Sequence, residues 1–212
     1  LAISSDKAVS PLNLYGSTKL AMEKLFIAAN NLKGKRKTKF SCVRYGNVLG
    51  SRGSVVPKFI EQIQSQNKIT ITNENMTRFN ITLDDALELI LHAIKFSKGN
   101  EVFVPKLKSY VLSDLINTLK EISSIPFSKK NIPLRPGEKM HELLLNEYEI
   151  KYSIESNGVY ILLPSNYVNM GHIRKMYPNS KSLGLQVYSS DNVSHISKNE
   201  LKKILIKHKF KI

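Results

Sequence analysis

Cysteine is nearly absent from the sequence, and no long hydrophobic run occurs in it. Cys42 is the one cysteine among 212 residues, so no disulfide can form within the chain. A chain without disulfides suits a reducing compartment, and we expect a cytoplasmic location. A membrane-spanning helix needs roughly 18 or more consecutive apolar residues, and no stretch approaches that length. We therefore expect no membrane partner.

Acidic residues are also scarce relative to basic ones. The chain has 32 lysines and arginines against 17 acidic residues, a formal net charge of +15. Its apolar fraction of 42% and charged fraction of 23% are ordinary for a globular protein and exclude a disordered or fibrous chain. The lysines are spread along the sequence, which favours a solvated basic surface. A polyanion-binding face and an anionic small substrate are the functional alternatives.

Hydrophobic periodicity predicts alternating strands and helices in the first third of the chain. A strand over residues 1–5 precedes a helix over 14–31, and a strand over 40–45 precedes a helix over 55–66. Strands that alternate with helices indicate βαβ units and a parallel sheet. The predicted fold class is therefore α/β, and the shorter elements beyond about residue 58 indicate a small α+β domain.

Those shorter elements are of several kinds. Ser113 is the expected N-cap of one helix, and Asn157-Gly158 is the expected turn of a hairpin. We expect strands near residues 69–71, 78–82, 101–104 and 110–112, an extended segment over 127–134, a hairpin over 152–163, and helices over 82–97, 113–122, 139–145 and 197–209.

Tyr15 and Lys19 form a Tyr-x-x-x-Lys pair within the first predicted helix. Residues i and i+4 lie on one face of a helix, so the Lys19 ammonium can lie near the Tyr15 hydroxyl. A nearby cation favours phenolate and lowers the pKa of a tyrosine from its usual value of about 10. Such a tyrosine can take a proton from an alcohol, and the lysine can bind a cofactor ribose. Because this spacing is common, a surface pair is the alternative.

A second polar group, Ser4-Ser5-Asp6-Lys7, follows the first predicted strand directly. Ligands bind at the carboxyl ends of strands in open α/β sheets. A hydroxyl, a carboxylate and an amine at that edge, close in sequence to Tyr15 and Lys19, form a set of acids and bases. The alternative is a polar loop in which Asp6 serves as a helix cap. The combination of the two groups favours a catalytic site.

The two groups together resemble the active-site segment of extended short-chain dehydrogenases/reductases. Within that superfamily they resemble the inverting UDP-N-acetylglucosamine 4,6-dehydratases of pseudaminic acid biosynthesis, and the resemblance is specific to about residue 145. It implies the C-terminal part of a Rossmann-type doubly wound parallel sheet, plus a small α+β substrate-binding domain. The stretches that carry it are Ser4-Ser5-Asp6-Lys7, Asn13-Leu14-Tyr15-Gly16-Ser17-Thr18-Lys19, residues 44–57, Met76-Thr77-Arg78-Phe79, Ile81-Thr82-Leu83-Asp84-Asp85 and residues 135–142.

The resemblance also implies a domain organisation. Residues 1–58 are expected to be the C-terminal portion of an NADP-binding Rossmann domain with the catalytic helix. Residues 59–212 are expected to bind mostly the UDP-sugar, with elements at about 79–98 returning to the Rossmann domain. Family members begin with a glycine-rich turn for the cofactor pyrophosphate, and no G-x-G-x-x-G spacing occurs in this chain. Because the first strand also has no earlier strand to pair with, we expect the C-terminal part of a longer protein.

The resemblance implies the chemistry of a hydro-lyase with a tightly bound NADP that is recycled. Tyr15 is expected to be the base at the sugar C4 hydroxyl, with Ser5 polarising that hydroxyl. Lys19 is expected to tune Tyr15 and bind the cofactor. Lys7 is expected to take the C5 proton, and Asp6 to protonate the leaving C6 hydroxyl. An Asp-Lys pair resembles the inverting type, whereas many retaining relatives have Asp-Glu.

Binding residues are implied in the same way. Val48 and Arg52 are expected to join Tyr15 and Lys19 at the cofactor. An arginine offers a planar fork to phosphate oxygens, and the arginines of the family-like stretches (Arg44, Arg52, Arg78 and Arg135) therefore support an anionic substrate. Arg135 is expected on the diphosphate with Arg78 nearby. The expected substrate-binding residues are Asn47, Val55, Thr72, Arg78 and Arg135.

Other functions stay open at this point. A UDP-sugar epimerase or a retaining 4,6-dehydratase would share these motifs, and product analysis separates them. A basic nucleic-acid-binding module is a distant alternative, because aromatic residues are not interleaved with the basic clusters. His141 and Cys42 are interpreted as structural, and we expect no metal because the histidines lack metal-ligand spacing. By analogy we expect a homo-oligomer without a nucleic-acid partner.

Overall fold

The structure is a computed structural model that describes residues 1–165 and 170–207. The helices are α1 (Leu14–Leu32), α2 (Val55–Gln66), α3 (Leu83–Phe96), α4 (Leu112–Ile122), α5 (Glu147–Ile150), α6 (Met170–Met176) and α7 (Lys198–Lys207). The strands are β1 (Ala2–Ser5), β2 (Cys42–Tyr45), β3 (Lys68–Ile71), β4 (Thr77–Phe79), β5 (Val102–Pro105), β6 (Ser109–Val111), β7 (Ser128–Asn131), β8 (Leu143–Leu145), β9 (Ser153–Ser156), β10 (Val159–Leu162), β11 (Lys181–Ser182) and β12 (Tyr188–Ser189). A short 3₁₀ helix, Asp6–Ala8, follows β1.

Packing divides the chain into two compact units, each assembled from three separated segments. Unit 1 consists of Leu1–Gly46, Leu83–Lys106 and Leu143–Ser189, and unit 2 consists of Asn47–Thr82, Leu107–Glu142 and Ser190–Ile212. The functional domain boundaries expected at residue 58 and at about 79–98 stay predictions.

A six-stranded mixed sheet, in the order β1-β2-β5-β10-β9-β11, forms the centre of unit 1. β1, β2 and β5 are parallel to one another. β10, β9 and β11 continue the sheet with antiparallel pairing. The prediction of an α/β fold with parallel strands is confirmed, but the prediction that the whole sheet is parallel is wrong. The reason is the hairpin β9–β10, whose turn residues Asn157 and Gly158 both have positive φ (49° and 81°), as a tight two-residue hairpin turn requires.

Helices cover both faces of this sheet. Successive strand residues point to opposite faces, and in β2 the side chain of Val43 packs in a core cluster with Leu89 and Ala93 of α3. The next residue, Arg44, bonds instead to Glu23 of α1. α1 and α3 therefore lie on opposite faces of the strand that both contact.

Unit 2 is built around its own hydrophobic core. Buried residues of α2 recur at helical spacing (Val56, Phe59 and Ile63) and pack with α4 and with Leu201 and Leu205 of α7. Two small sheets complete the unit: β3 pairs parallel with β7, and β4 pairs antiparallel with β6. Fully burying one such aliphatic side chain contributes about 1.5–3 kcal/mol, so this cluster accounts for the compactness of unit 2.

Two local predictions were wrong. The helix expected over residues 139–145 is absent; that segment is extended and ends in β8, because its backbone pairs with β4 and with β12 rather than with itself. Ser113 does not cap α4, since the helix begins one residue earlier and Val111 takes the N-cap position. The predicted end of the last helix, at residues 208–209, lies outside the described residues.

Among the described residues, no helix combines the length and the hydropathy needed to cross a membrane.

Candidate active site

Ser5, Asp6 and Lys7 form a local hydrogen-bond network where β1 ends. Ser5 is the N-cap of the 3₁₀ helix: its hydroxyl oxygen accepts from the Lys7 N–H (3.2 Å) and its O–H donates to Asp6 Oδ1 (2.8 Å). Asp6 is 1% exposed, and its other oxygen lies 3.2 Å from Lys7 Nζ. A buried carboxylate with a hydroxyl and an ammonium donor is a compact acid–base group of the kind predicted.

Tyr15 and Lys19 project from the first turns of α1. Lys19 Nζ lies 5.9 Å from the centre of the Tyr15 ring, as the i, i+4 spacing predicts. The same ammonium donates to the backbone carbonyl of Ile3 at 3.1 Å. The Tyr15 side chain is 57% exposed, so a ligand can reach its hydroxyl.

Gly16 brings these two groups together, and sequence reasoning did not single it out. A Cβ at this position would overlap the carbonyl oxygen of Lys7 and lie 2.9 Å from Pro11 Cβ. Only glycine therefore allows the start of α1 to pack on the Asp6–Ala8 turn. Asn13 holds the helix start, because its side chain accepts from the Gly16 N–H at 2.9 Å. The five predicted catalytic residues consequently surround one junction in unit 1.

Arg44 does not serve an anionic substrate, which corrects the sequence-based expectation. The residue is 0% exposed. Its guanidinium donates to both carboxylate oxygens of Glu23, to both of Glu149 and to the Leu144 carbonyl, at 2.6–2.9 Å. These contacts use all five N–H groups that an arginine has. Arg44 therefore fastens α1, through Glu23, to β2 and α5.

The charges around Arg44 agree with this structural role. Burial by itself lowers the pKa of Arg44, but the charge and hydrogen bonds of Glu23, followed by those of Glu149, outweigh burial and raise the pKa above its usual value. Burial also raises the pKa of the neighbouring Cys42 thiol to about 12, with a further contribution from Glu23. The buried thiol stays protonated, in line with the structural interpretation of Cys42.

Arg78, in unit 2, is held very differently. Its Nη1 donates to the carbonyls of Thr77 (2.8 Å) and Met140 (3.1 Å), and its Nε lies 3.7 Å from Glu142 Oε1. Its Nη2 contacts the Met76 sulfur at 3.3 Å, and Thr72 Oγ1 donates to the same sulfur at 3.5 Å. The structure thus brings Thr72 and Arg78 together around Met76.

The remaining predicted binding residues lie on two other segments of unit 2. Asn47 and Arg52 are exposed in the loop before α2, where Val48 bridges to Ile81. Val55, at the start of α2, packs against the hydrophobic core of unit 2. Arg135 is exposed and begins a turn closed by Glu138, whose N–H donates to the Arg135 carbonyl at 3.0 Å. Their roles as ligand-binding residues stay predictions.

A separate cavity of about 790 Å³ lies in unit 1 against the second half of α1. Its lining includes Glu23 and Glu149 of the arginine network and the ring pair Tyr148 and Tyr152, but none of the predicted site residues. Size alone does not make this cavity the catalytic site, because its carboxylates are already bound to Arg44. Over residues 1–165 and 170–207, no group of three or more His, Cys, Asp or Glu side chains is placed to hold a metal ion.

Comparison with known proteins fits this geometry. Residues 1–164 match the family described as polysaccharide biosynthesis proteins. The chain belongs to this family. Its predicted resemblance to short-chain dehydrogenase/reductase enzymes that act on nucleotide sugars is confirmed, and the fold is of that type.

Two curated relatives and one solved structure illustrate what the chain is similar to. The inverting UDP-N-acetylglucosamine 4,6-dehydratase of Campylobacter jejuni is 43% identical over 166 residues, which are 78% of this chain and 48% of the relative. A UDP-glucose 4-epimerase of Rickettsia bellii is 34% identical over 97% of this chain and 60% of the relative. The X-ray structure of Pen from Bacillus thuringiensis, 37% identical, superposes with a TM-score of 0.86 over 98% of this chain and 62% of that chain.

The chain thus spans about half to three fifths of the length of the curated relatives it matches.

Proposed function

We propose that this chain carries the catalytic and substrate-binding residues of a nucleotide-sugar 4,6-dehydratase that inverts C5 of UDP-N-acetylglucosamine. The product is a UDP-4-keto-6-deoxy-L-arabino-hexosamine, a precursor for surface-glycan or flagellin sugars. Unit 1 is proposed to be the C-terminal part of a Rossmann-type domain. The observation that carries the proposal is the ion pair of buried Asp6 with half-buried Lys7, in the same unit as Tyr15 and Lys19. It occurs in a chain that is 43% identical, over 78% of its length, to an inverting dehydratase.

The Asp6–Lys7 pair supplies one acid and one base from a single shared proton. As an ion pair, Asp6 is a carboxylate and Lys7 an ammonium, separated by 3.2 Å. Moving the proton from Lys7 to Asp6 creates a neutral amine and a carboxylic acid. The Lys7 amine then removes the C5 proton, and Asp6 protonates the C6 hydroxyl as its C–O bond breaks and water leaves. The pair ends as the ion pair from which it began.

Tyr15 and Lys19 are proposed to act at C4. Tyr15 takes the proton of the C4 hydroxyl, and Ser5 orients that hydroxyl. Once C4 is a ketone, the C5 proton is acidic enough for an amine base, so a modest base suffices. Ser5 already donates to Asp6 at 2.8 Å, which couples the C4 group to the acid that serves C6.

A nicotinamide cofactor, expected to be NADP, fits these residues in part. Tyr15 is exposed and Lys19 lies on the same helix face, so both are suited to its ribose. No G-x-G-x-x-G turn for its pyrophosphate occurs in the chain. When bound, the cofactor would supply hydride acceptance at C4 and hydride donation at C6, with no net redox change. As C6 gains hydride, C5 takes a solvent proton on the face opposite to Lys7, and this step inverts C5.

Unit 2 is proposed to bind the UDP diphosphate. Arg78 is preoriented by two carbonyls, and Arg135 lies on an exposed turn. Charge-assisted hydrogen bonds from arginine forks suit phosphate oxygens. Asn47, Val55 and Thr72 are the proposed sugar and uridine contacts, and Val48 and Arg52 the proposed cofactor contacts in this unit.

Product analysis in heavy water tests the proposal. The gene product that carries this chain is incubated with NADP and UDP-N-acetylglucosamine in deuterium oxide, and the sugar ring is followed by proton NMR. We expect a 4-keto-6-deoxy product of inverted C5 configuration with deuterium at C5. Lys7→Ala and Asp6→Asn should each slow its formation by about 10²–10⁴-fold, the range typical of a lost acid or base.

A pair of tyrosines provides the matched control. Tyr15 and Tyr148 are 57% and 61% exposed, and both lie in unit 1. Tyr15→Phe should slow turnover by the same factor of about 10²–10⁴, while Tyr148→Phe should keep the wild-type rate. Equal rates for the two variants would remove Tyr15 from the reaction.

A UDP-sugar 4-epimerase is the second candidate, supported by the 34% identity to a UDP-glucose 4-epimerase over 97% of this chain. Epimerisation needs Tyr15 and Lys19 but no acid–base pair at C5 and C6. A product that keeps its 6-hydroxyl and its C5 hydrogen would select this candidate and leave Asp6 and Lys7 as a structural pair.

A further inference from the structure

His141 lies in a hydrogen-bonded cluster of three side chains in unit 2. Its Nδ1 is 2.8 Å from Thr77 Oγ1, and that oxygen is 2.6 Å from Ser190 Oγ. Thr77 and Ser190 are buried, whereas His141 is half-buried. We name these three residues the hydroxyl clamp. It joins positions 64 and 113 residues apart in sequence, and the proposed catalytic chemistry does not use it.

The clamp ties β4 to the segment 140–142. The Thr77 N–H donates to the Met140 carbonyl at 3.1 Å, and the Glu142 N–H donates to Ser190 Oγ at 2.9 Å. The Ser190 N–H donates back to the Glu142 carbonyl at 2.9 Å. His141 lies between Met140 and Glu142 in sequence, and its ring adds a side-chain contact through Thr77 Oγ1 that supports the approach of the segment to β4.

Arg78 depends on that approach. Its Nη1 donates to the carbonyls of Thr77 and Met140, one on each side of the clamp. A guanidinium held by two carbonyls moves when their separation changes. The Arg135 turn lies on the same stretch of chain that the clamp fastens, five residues before Met140 (140 − 135).

We propose that His141 is a positioning residue: through Thr77 and Ser190 it holds Arg78 in the orientation that binds the diphosphate of a nucleotide. This inference rests on the proposed function of unit 2 and deepens it. The ring acts on the arginine through the hydroxyl clamp and does not touch the ligand.

The hydrogen-bond donors and acceptors of the hydroxyl clamp show why alanine cannot replace His141. The Ser190 hydroxyl accepts from Glu142, and Thr77 and Ser190 each have one proton to donate. Without Nδ1, the Thr77 hydroxyl loses one of its two side-chain partners in a buried place, where a missing partner is costly. An asparagine at 141 offers an amide group close to the position of Nδ1 and can restore that partner.

Calorimetric titration of the gene product that carries this chain with UDP tests the inference without requiring catalysis. His141→Ala should weaken UDP binding about tenfold, the loss expected for one misplaced charge-assisted contact. His141→Asn should recover most of that affinity, and Arg78→Ala should weaken binding at least as much as His141→Ala.

His195→Ala is the matched control. His195 Nδ1 lies 2.6 Å from Ser109 Oγ in the same unit, so it has the same imidazole–hydroxyl chemistry with a different partner. It should lower the thermal midpoint about as much as His141→Ala but leave UDP affinity unchanged.

Three results would overturn the inference: wild-type affinity in His141→Ala, no recovery in His141→Asn, or an equal loss of affinity in His195→Ala. A wild-type chain that does not bind UDP would instead remove the proposed ligand of unit 2, and the positioning role with it. The two failures are distinguishable, because only the second appears without any mutation.

Discussion

Arg44 in unit 1 and Arg78 in unit 2 come from equally family-like stretches of sequence, yet they have different neighbours. Arg44 is fully buried and gives all five N–H groups to two carboxylates and a carbonyl. Arg78 is held mainly by two carbonyls, and its side chain is 13% exposed with one carboxylate at 3.7 Å. The first arginine is a structural counter-charge, and the second, held by fewer carboxylate contacts, is the one proposed to meet an anion.

The comparison extends to the units themselves. Unit 1 places α1 by close packing and buried charge, through Gly16 and through Glu23 with Arg44. Unit 2 is assembled around a hydrophobic core, and Arg78 is held there by the carbonyls of Thr77 and Met140. Substitutions should therefore affect stability first in unit 1 and binding first in unit 2.

Loss of Arg44 should have the largest effect. Arg44→Met leaves Glu23 and Glu149 buried without their cation, and removing one partner of a buried ion pair costs about 3–5 kcal/mol. Arg78→Met should cost less than Arg44→Met, because it leaves one buried carboxylate, Glu142 at 3.7 Å, without its cation instead of two carboxylates in direct contact. Urea unfolding of both variants measures the difference. Equal losses would mean that the two arginines do not differ in role.

Gly16→Ala should have the next largest effect. The new methyl group would overlap the Lys7 carbonyl, and overpacking of this kind costs about 1–3 kcal/mol. It should also displace Tyr15 and reduce turnover. Gly184→Ala is the control within unit 1, since a Cβ there meets no atom within 4 Å. Stability loss in the control alone would contradict the close-packing argument.

A lysine at position 78 should have a smaller effect, confined to binding. Arg78→Lys keeps the charge but loses the planar fork, and we expect UDP affinity to fall about tenfold, or about 1.4 kcal/mol. Arg36→Lys, at an exposed position in unit 1, should leave affinity unchanged. Titration calorimetry compares the two. An unchanged affinity in Arg78→Lys would show that UDP binding does not use the planar guanidinium of Arg78.

The smallest expected effect is on the reactivity of the Cys42 thiol and its contribution to stability at high pH. Because burial raises its pKa to about 12, alkylation at pH 8 should be slow in the folded chain and fast after unfolding. A folded pKa above the unfolded value of about 8.5 means that the thiol's contribution to stability is complete below about pH 8.5. That contribution is lost as pH rises towards 12. Rapid labelling of the native chain would show that this side of β2 is open.

Local structure was predictable where neighbouring residues determine it. The bounds of α2 and the start of α1 follow from periodicity, and the β9–β10 hairpin follows from Asn157-Gly158. β8 was not predictable, because its extended form depends on pairing with Tyr188 and Ser189, more than 40 residues away. Ser190 was missed for the same reason: a lone serine has no local pattern that indicates Thr77 as its partner.

By itself, the sequence determined which residues cluster at the candidate active site. The spacing of Tyr15 and Lys19 and the contiguity of Ser5, Asp6 and Lys7 are local properties, and short-range helix and turn geometry converts them directly into contacts. Only the tertiary structure decided which arginine is enclosed by carboxylates and which is held mainly by carbonyls, since the partners of a guanidinium are the groups that pack against it. For Arg44 those groups are the carboxylates of Glu23 and Glu149, which lie 21 and 105 residues away in sequence. At such separations the sequence pattern carries no information about contact.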